Sequence, residues 1–386
     1  MRLEPLRIHV EETVLEDLRE RIARTRWPDQ PEGDASAPGM AVADLRELLE
    51  YWQHRFDWRV WEDRINAWPN YRARVGGDDP LEIHFIHARG SGPSPFPLIF
   101  THGWPGSFLE CLKLLPLLTD PGRHGADPSD AFDVIVPSLP GYGFSQRPPR
   151  GGTTPRRIGA LWAELMEGLG YARFGAQGGD WGASVSTWLA RDFRERLAGL
   201  HLNYIPGSYT PHVAPGSETE EERQFLRERD RWREESGAYG HVQATRPQTL
   251  AFALEDSPAG LAAWIVEKFR EWSDGRKEPP LTPDELLANV TLYWVTGTIG
   301  SSMRLYCEGR RTPLVFKAGE RVHVPCGIAR FALEAPMPPR SWVERGYDVV
   351  RWTDLPRGGH FAAMEQPELL ARDVRDFFRP LRKSRA

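Results

Sequence analysis

Three short stretches of the 386-residue chain carry residues that could do chemistry together. The first is Gly178-Gly179-Asp180-Trp181-Gly182, between the strand-like run ARFGAQ and the helical run ASVSTWLARDF. Small residues on both sides of one side chain mark a strained strand-to-helix turn, which pushes that side chain out at the top of a sheet. Here the displayed residue is an aspartate. A carboxylate is already charged at neutral pH and attacks without a base. It suits displacement at an sp³ carbon, which leaves an ester that water must then cleave. The competing reading is a tight turn in which Asp180 only caps the next helix.

The second stretch, Thr101-His102-Gly103-Trp104-Pro105-Gly106, follows the apolar run PLIF. A loop in that place supplies one backbone N–H of an oxyanion hole, and the residue after the nucleophile supplies the other. The expected donors are therefore the N–H groups of Trp104 and Trp181, while His102 is expected to hold the turn. In the third stretch, Gly358-Gly359-His360-Phe361, a histidine sits on a glycine-rich loop before the last helical run. That is the place of a general base in the chain order nucleophile, acid, histidine. The acid expected to orient it is Glu334 in ALEAP, behind the strand-like run HVPCGIARF; Asp348 and Asp354 compete for the role. Ser184 and Ser186 fall inside the helix after the turn, which argues against a serine nucleophile.

Positioning these residues takes a sheet with helices on both faces. From about residue 81, short β-rich runs (LEIHFIHA, PLIF, FDVIVP, ARFGAQ, AGLHLNYIP) alternate with helical stretches, the pattern of a mainly parallel α/β sheet. The loop Pro140-Gly141-Tyr142-Gly143-Phe144-Ser145 after one such run supports it. Residues 81–206 and 301–386 are read as two parts of one α/β core, and 207–300, purely helical in pattern, as an inserted lid. Residues 1–80 are read as a helical extension packing on the body. It holds one helix over 12–26, a Pro/Gly/Asp-rich loop to about Met40, and one long amphipathic helix over 43–66 with Leu45, Leu48, Leu49 and Trp52 on one face.

A net charge of −5 gives no reason to expect nucleic acid as a partner. Cys111, Cys307 and Cys326 are too few for a disulfide framework and lack metal-ligand spacing. The first residues lack a signal-peptide core, and no run of about 18 apolar residues occurs. A cytoplasmic protein without metal, cofactor or membrane partner is expected.

Taken with RTRWPDQ, WRVWEDRINAWPNYRARV, FTHGWPGS, QGGDWG, SGAYGHVQATRP, NVTLYWVTGTIGSSMRLY and RGGHFAAMEQPELLA, the chain resembles the microsomal-type epoxide hydrolases over nearly its whole length. The resemblance implies an α/β-hydrolase fold with an α-helical lid and an N-terminal extension. It makes Asp180 the nucleophile, His360 the base and Glu334 its acid. It also implies that Tyr239 and Tyr306 donate hydrogen bonds to the epoxide oxygen, with Tyr204 and Tyr293 as alternatives. One extra residue separates Gly237 from Tyr239 relative to the family pattern. The membrane anchor of animal microsomal members has no counterpart here, so microsomal attachment is not expected. Trp232, Trp264, Trp272 and Trp294 in the lid suggest a bulky apolar or aromatic epoxide, and a homodimer fits the resemblance. The rival readings are a haloalkane or haloacid dehalogenase, which would need a halide site in place of the tyrosine pair, and a non-catalytic binding protein on the same fold.

Overall fold

Apolar runs that end in glycine become the central strands of one sheet, nine-stranded among the described residues. The structure is a computed structural model and describes residues 1–31, 39–276, 280–334 and 336–382. In chain order the strands are β1 Leu3–Pro5, β2 Asn70–Val75, β3 Leu81–Ala88, β4 Phe96–Thr101, β5 Phe132–Pro137, β6 Phe174–Gly178, β7 Leu197–Leu202, β8 Val322–Phe331 and β9 Tyr347–Leu355. Their spatial order is β1-β2-β3-β5-β4-β6-β7-β8-β9. Pairing is antiparallel from β1 to β5 and parallel from β5 to β9. The central strands β4, β5, β6 and β7 are buried at every position, as strands covered on both faces must be. This is the α/β-hydrolase fold, and the carboxyl ends of β4 and β6 lie side by side, with Thr101 opposite Gly178.

The N-terminal extension differs from its expected form in two ways. It is not wholly helical, because β1 and β2 extend the central sheet. NYRARV carries two arginines in six positions, which hides the alternation that buries Ala73 and Val75. The helix expected over 43–66 is two helices, Val42–His54 and Trp58–Asn66. Asp57 breaks it: with φ −119° and ψ 109°, its side chain accepts from the N–H of Arg59 and caps the second helix. The break has a packing reason. Leu48, Leu49 and Trp52 pack into one hydrophobic cluster, while Trp58, Trp61 and Ile65 pack into another. One straight helix cannot face both. The loop expected before Met40 lies mostly outside the described residues.

Between β7 and β8 the described residues form six helices: Glu220–Glu235, Ala238–Thr245, Pro247–Asp256, Pro258–Trp272, Pro283–Thr296 and Ile299–Gly309. Capping boxes open the first and fifth, through Thr219 with Glu222 and Thr282 with Glu285. Gly297 at φ +57° ends the fifth, so the next helix can turn back over the sheet. The boundary expected at residue 300 falls inside this last helix, which carries Tyr306. No described helix is long and apolar enough to cross a membrane.

Candidate active site

The turn after β6 is strained in the way its sequence suggests. Asp180 has φ +46°, and no other non-glycine residue among those described has a positive φ. Gly182 leaves no room for a side chain, because a Cβ there would collide with the carbonyl of Thr101 on the neighbouring strand. The Asp180 carboxylate is aimed by its neighbours. The N–H of Trp104 donates to Oδ1 at 2.7 Å, and His360 Nε2 lies 3.4 Å from Oδ2. The Trp181 N–H belongs to the first turn of the helix Asp180–Asp192, where N–H groups have no intrahelical acceptor. Its indole ring meets Tyr306 edge-on at 4.9 Å.

Behind His360, both oxygens of Glu334 lie 3.0 Å from Nδ1. An ionised carboxylate only accepts, so it fixes the proton on Nδ1 and leaves Nε2 facing Asp180. Burial works against a charged imidazole here. The charges and hydrogen bonds of Glu334 and Asp180 overcome it and raise the pKa well above the ordinary value. The competing acids lie elsewhere: Asp354 accepts from Arg330 and Trp352, and Asp348 stands opposite Pro325 in the sheet. His102 is not available as a base. Its Nδ1 bonds the carbonyl of Gly103, its Nε2 accepts the N–H of Leu139, and burial lowers its pKa to about 4.

Tyr239 and Tyr306 come down from the helical insertion onto the same spot. Tyr239 stacks on the buried indole of Trp104 at 5.4 Å, Tyr306 meets that indole edge-on at 5.8 Å, and the two phenol rings are 6.0 Å apart. Both line a cavity of about 510 Å³ whose floor is Asp180 and Trp181. Burial, and for both the negative charge of Asp180, raises each phenol well above its ordinary pKa. They are therefore neutral O–H donors at every working pH. Of the alternatives, Tyr293 is committed elsewhere, donating to the carbonyl of Gly106 at 2.8 Å. Tyr204 lines the cavity with its ring edge-on to His360. Only two of the four expected lid tryptophans stand near the site: Trp232 lines the cavity, and Trp272 packs against Tyr239 and His360. Trp264 bonds Gln243, and Trp294 lies under Arg21.

Residues 3–111 match the family described as "Epoxide hydrolase N terminus", and residues 97–289 match the alpha/beta hydrolase fold. Epoxide hydrolase 1 of Oryctolagus cuniculus is 39% identical over 97% of this chain and 88% of its own length. The chain belongs to the epoxide hydrolase family. Among solved structures, the Aspergillus niger epoxide hydrolase superposes with a TM-score of 0.85 at 30% identity, covering 99% of this chain and 97% of that one. The juvenile hormone epoxide hydrolase of Bombyx mori gives 0.83 at 32%, covering 100% and 95%.

Three acidic residues of this epoxide hydrolase were not visible as site residues in the sequence. Glu365 holds the histidine loop: its oxygens accept the N–H groups of Asp274, Gly359 and Phe361 at 2.7, 3.0 and 2.9 Å. Asp274 accepts the N–H of Gly358 at 2.9 Å, tying the insertion to the same loop. Glu110, on the short 3₁₀ turn Phe108–Cys111, lines a cavity of about 10 Å³ together with Asp180, His360, Trp104 and Asn203. That volume has room for one water. Burial pushes the Glu110 carboxyl up to about 8, with His360 opposing the rise and Asp180 adding to it. The one weak sequence signal was its place at the end of the FTHGWPGS loop. A carboxylate between Leu109 and Cys111 otherwise reads as a surface position.

Proposed function

We propose that this epoxide hydrolase converts epoxides to vicinal diols through an ester on Asp180. The observation that carries this reading is the pair of half-buried, neutral phenols, Tyr239 and Tyr306, lining one cavity with a carboxylate at its floor. An oxirane opened by a nucleophile needs its oxygen stabilised by donors as the C–O bond breaks. Asp180 Oδ1 already accepts from Trp104, so Oδ2 is the attacking oxygen. Its bond to the epoxide carbon forms as the C–O bond breaks, and the departing oxygen takes a proton from the tyrosine pair. The pair is refilled by the proton His360 gives up as esterification removes the Asp180 charge.

Water then gives a proton to His360 Nε2 while its oxygen bonds to Cγ of the ester. The negative charge moves to Oδ1, held by the N–H groups of Trp104 and Trp181. Collapse expels the diol oxygen, which takes the proton from His360. The proton released as the new carboxyl group ionises returns to His360, which carries it in the resting enzyme. Glu334 keeps the imidazole in the tautomer this needs, and Glu110 borders the space where the attacking water fits. The aromatic lining and the volume of about 510 Å³ favour bulky apolar or aromatic epoxides over the smallest ones. A homodimer in the cytoplasm belongs to the same reading, to be checked by sedimentation and cell fractionation.

The test is a diol-formation screen over styrene-type, alicyclic and linear epoxides with haloalkanes as controls. Diol from one or more epoxides supports the reading; halide release with no diol from any epoxide reverses it. Single substitutions sharpen the test. Tyr306→Phe and Tyr239→Phe each lower the ring-opening rate by about 10²-fold, the scale for removing one oxyanion donor. They leave hydrolysis of a preformed ester nearly unchanged, which rapid-quench measurement of ester and diol reads directly. An unchanged ring-opening rate in both variants removes the tyrosines from the mechanism.

A further inference from the structure

Three cavities are linked in series by their linings, and each link is a single carboxyl residue. The substrate cavity of about 510 Å³ and the water-sized cavity of about 10 Å³ share one lining residue, Asp180. The water-sized cavity and a third cavity of about 340 Å³ also share one, Glu110. The third cavity shares no lining residue with the substrate cavity. Its walls are Trp61, Ala67 and Trp68 of the N-terminal extension, Leu112 beyond the oxyanion loop, Met364 beyond the histidine loop, and Lys113 paired with Glu285 at one side.

The reaction gives this arrangement a use. Once the ester has formed, the alkyl group fills the substrate cavity, and the second step still consumes a water on the other face of Asp180. Water arriving through the front would have to pass the substrate. We infer that the hydrolytic water enters from the rear, through the cavity beneath the N-terminal extension and past the Glu110 carboxyl, into the single-water space beside His360. Glu110 is then a positioning residue at an inlet, and the extension has a part in the chemistry besides widening the sheet. The inference rests on the ester mechanism proposed above and goes beyond it.

The two steps separate in a single-turnover experiment, so the outcomes are distinguishable. The unaltered enzyme is first mixed with excess 1,2-epoxybutane and with 1,2-epoxydodecane, and ester and diol are followed by rapid quench. If no ester forms with either, the ester mechanism fails and the inlet falls with it. If ester forms, its hydrolysis rate constant is expected to agree within about twofold between the two. They differ only far from the ester, and rear-supplied water does not meet the longer chain. A fall of tenfold or more with chain length means that water comes through the front and overturns the inference.

Filling the rear cavity is the second arm. Ala67→Phe and Leu112→Phe are expected to leave ester formation within twofold of the unaltered rate and to slow ester hydrolysis at least tenfold, so that ester accumulates at steady state. Intact ester formation also shows that the variant is folded. A variant that forms ester normally and hydrolyses it normally overturns the inlet. If a filled variant does not form ester, the chain-length comparison in the unaltered enzyme decides alone.

Discussion

Asp180→Asn removes both turnover and the covalent intermediate. An amide nitrogen or oxygen is a poor nucleophile toward an sp³ carbon, and among the described residues no second carboxylate lines the same cavity. Its lining is otherwise aromatic, small or cationic, as at Tyr239, Tyr306, Gly240, Arg233 and Arg310. The expected loss is on the order of 10⁴- to 10⁶-fold, the scale for removing a catalytic nucleophile. The substitution is conservative in structure. Asparagine tolerates positive φ better than most residues, so the turn at +46° survives. Its carbonyl can still accept from the N–H of Trp104, in place of Asp180 Oδ1. The melting temperature is therefore expected to stay close to the parent value while diol formation disappears. Intact-protein mass after incubation with an epoxide shows no adduct on the variant. An adduct of substrate mass on the variant, mapped to any other residue, would remove Asp180 from its role.

The residues that meet at this site differ in how far they could be read in advance. Asp180, His360 and Trp104 stand beside glycines at strand ends, and that local pattern has a local physical cause: the backbone turns too tightly for larger neighbours. Glu334 needed only the chain order and a place behind β8. Glu110 and Glu365 could not be read in this way, because their partners come from distant segments. Glu365 accepts from Asp274, 91 residues away, and Glu110 meets Asp180 and His360 across a cavity that exists only in the folded chain. The same division runs through the fold. The buried parallel strands are continuous apolar runs and stand out. β2 does not, since its outward positions carry arginine. The break at Asp57 also stayed hidden, because apolar spacing continues across it; what changes is which hydrophobic cluster each half serves. Periodicity reports that a face is buried and is silent on what covers it.

The electrostatics of the triad suggest why its two steps do not interfere. In the resting enzyme His360 is flanked by two carboxylates, Glu334 at 3.0 Å and Asp180 at 3.4 Å, and both favour its charged form against burial. A charged imidazole cannot act as a base, so water beside the free enzyme is not activated. Formation of the ester turns Asp180 into a neutral group and removes its share of that stabilisation. Burial is unchanged, so the imidazole pKa falls. The base becomes available when there is an ester to hydrolyse.

His360→Gln tests this coupling and produces an enzyme that alkylates itself once and then stalls. Glutamine can occupy similar space, and ring opening depends on Asp180 and the tyrosines, so ester formation stays within about tenfold of the parent rate. Hydrolysis loses its general base and falls by about 10²- to 10⁴-fold. Intact-mass spectrometry then shows nearly complete conversion to a species heavier by one substrate, stable for minutes to hours, with the label on the peptide containing Asp180. In the unaltered enzyme the same argument fixes the sign of the pH dependence. Ester hydrolysis needs neutral His360, so its rate rises with pH through the imidazole pKa of the ester form and then levels. Ester formation uses a carboxylate and two neutral phenols, so it lacks that limb over the same range. Lowering the pH therefore raises the steady-state fraction of ester in the unaltered enzyme, and His360→Gln is locked in that state at every pH. Ester hydrolysis that is flat with pH, or a His360→Gln variant that turns over without accumulating ester, would transfer the role of base to another group.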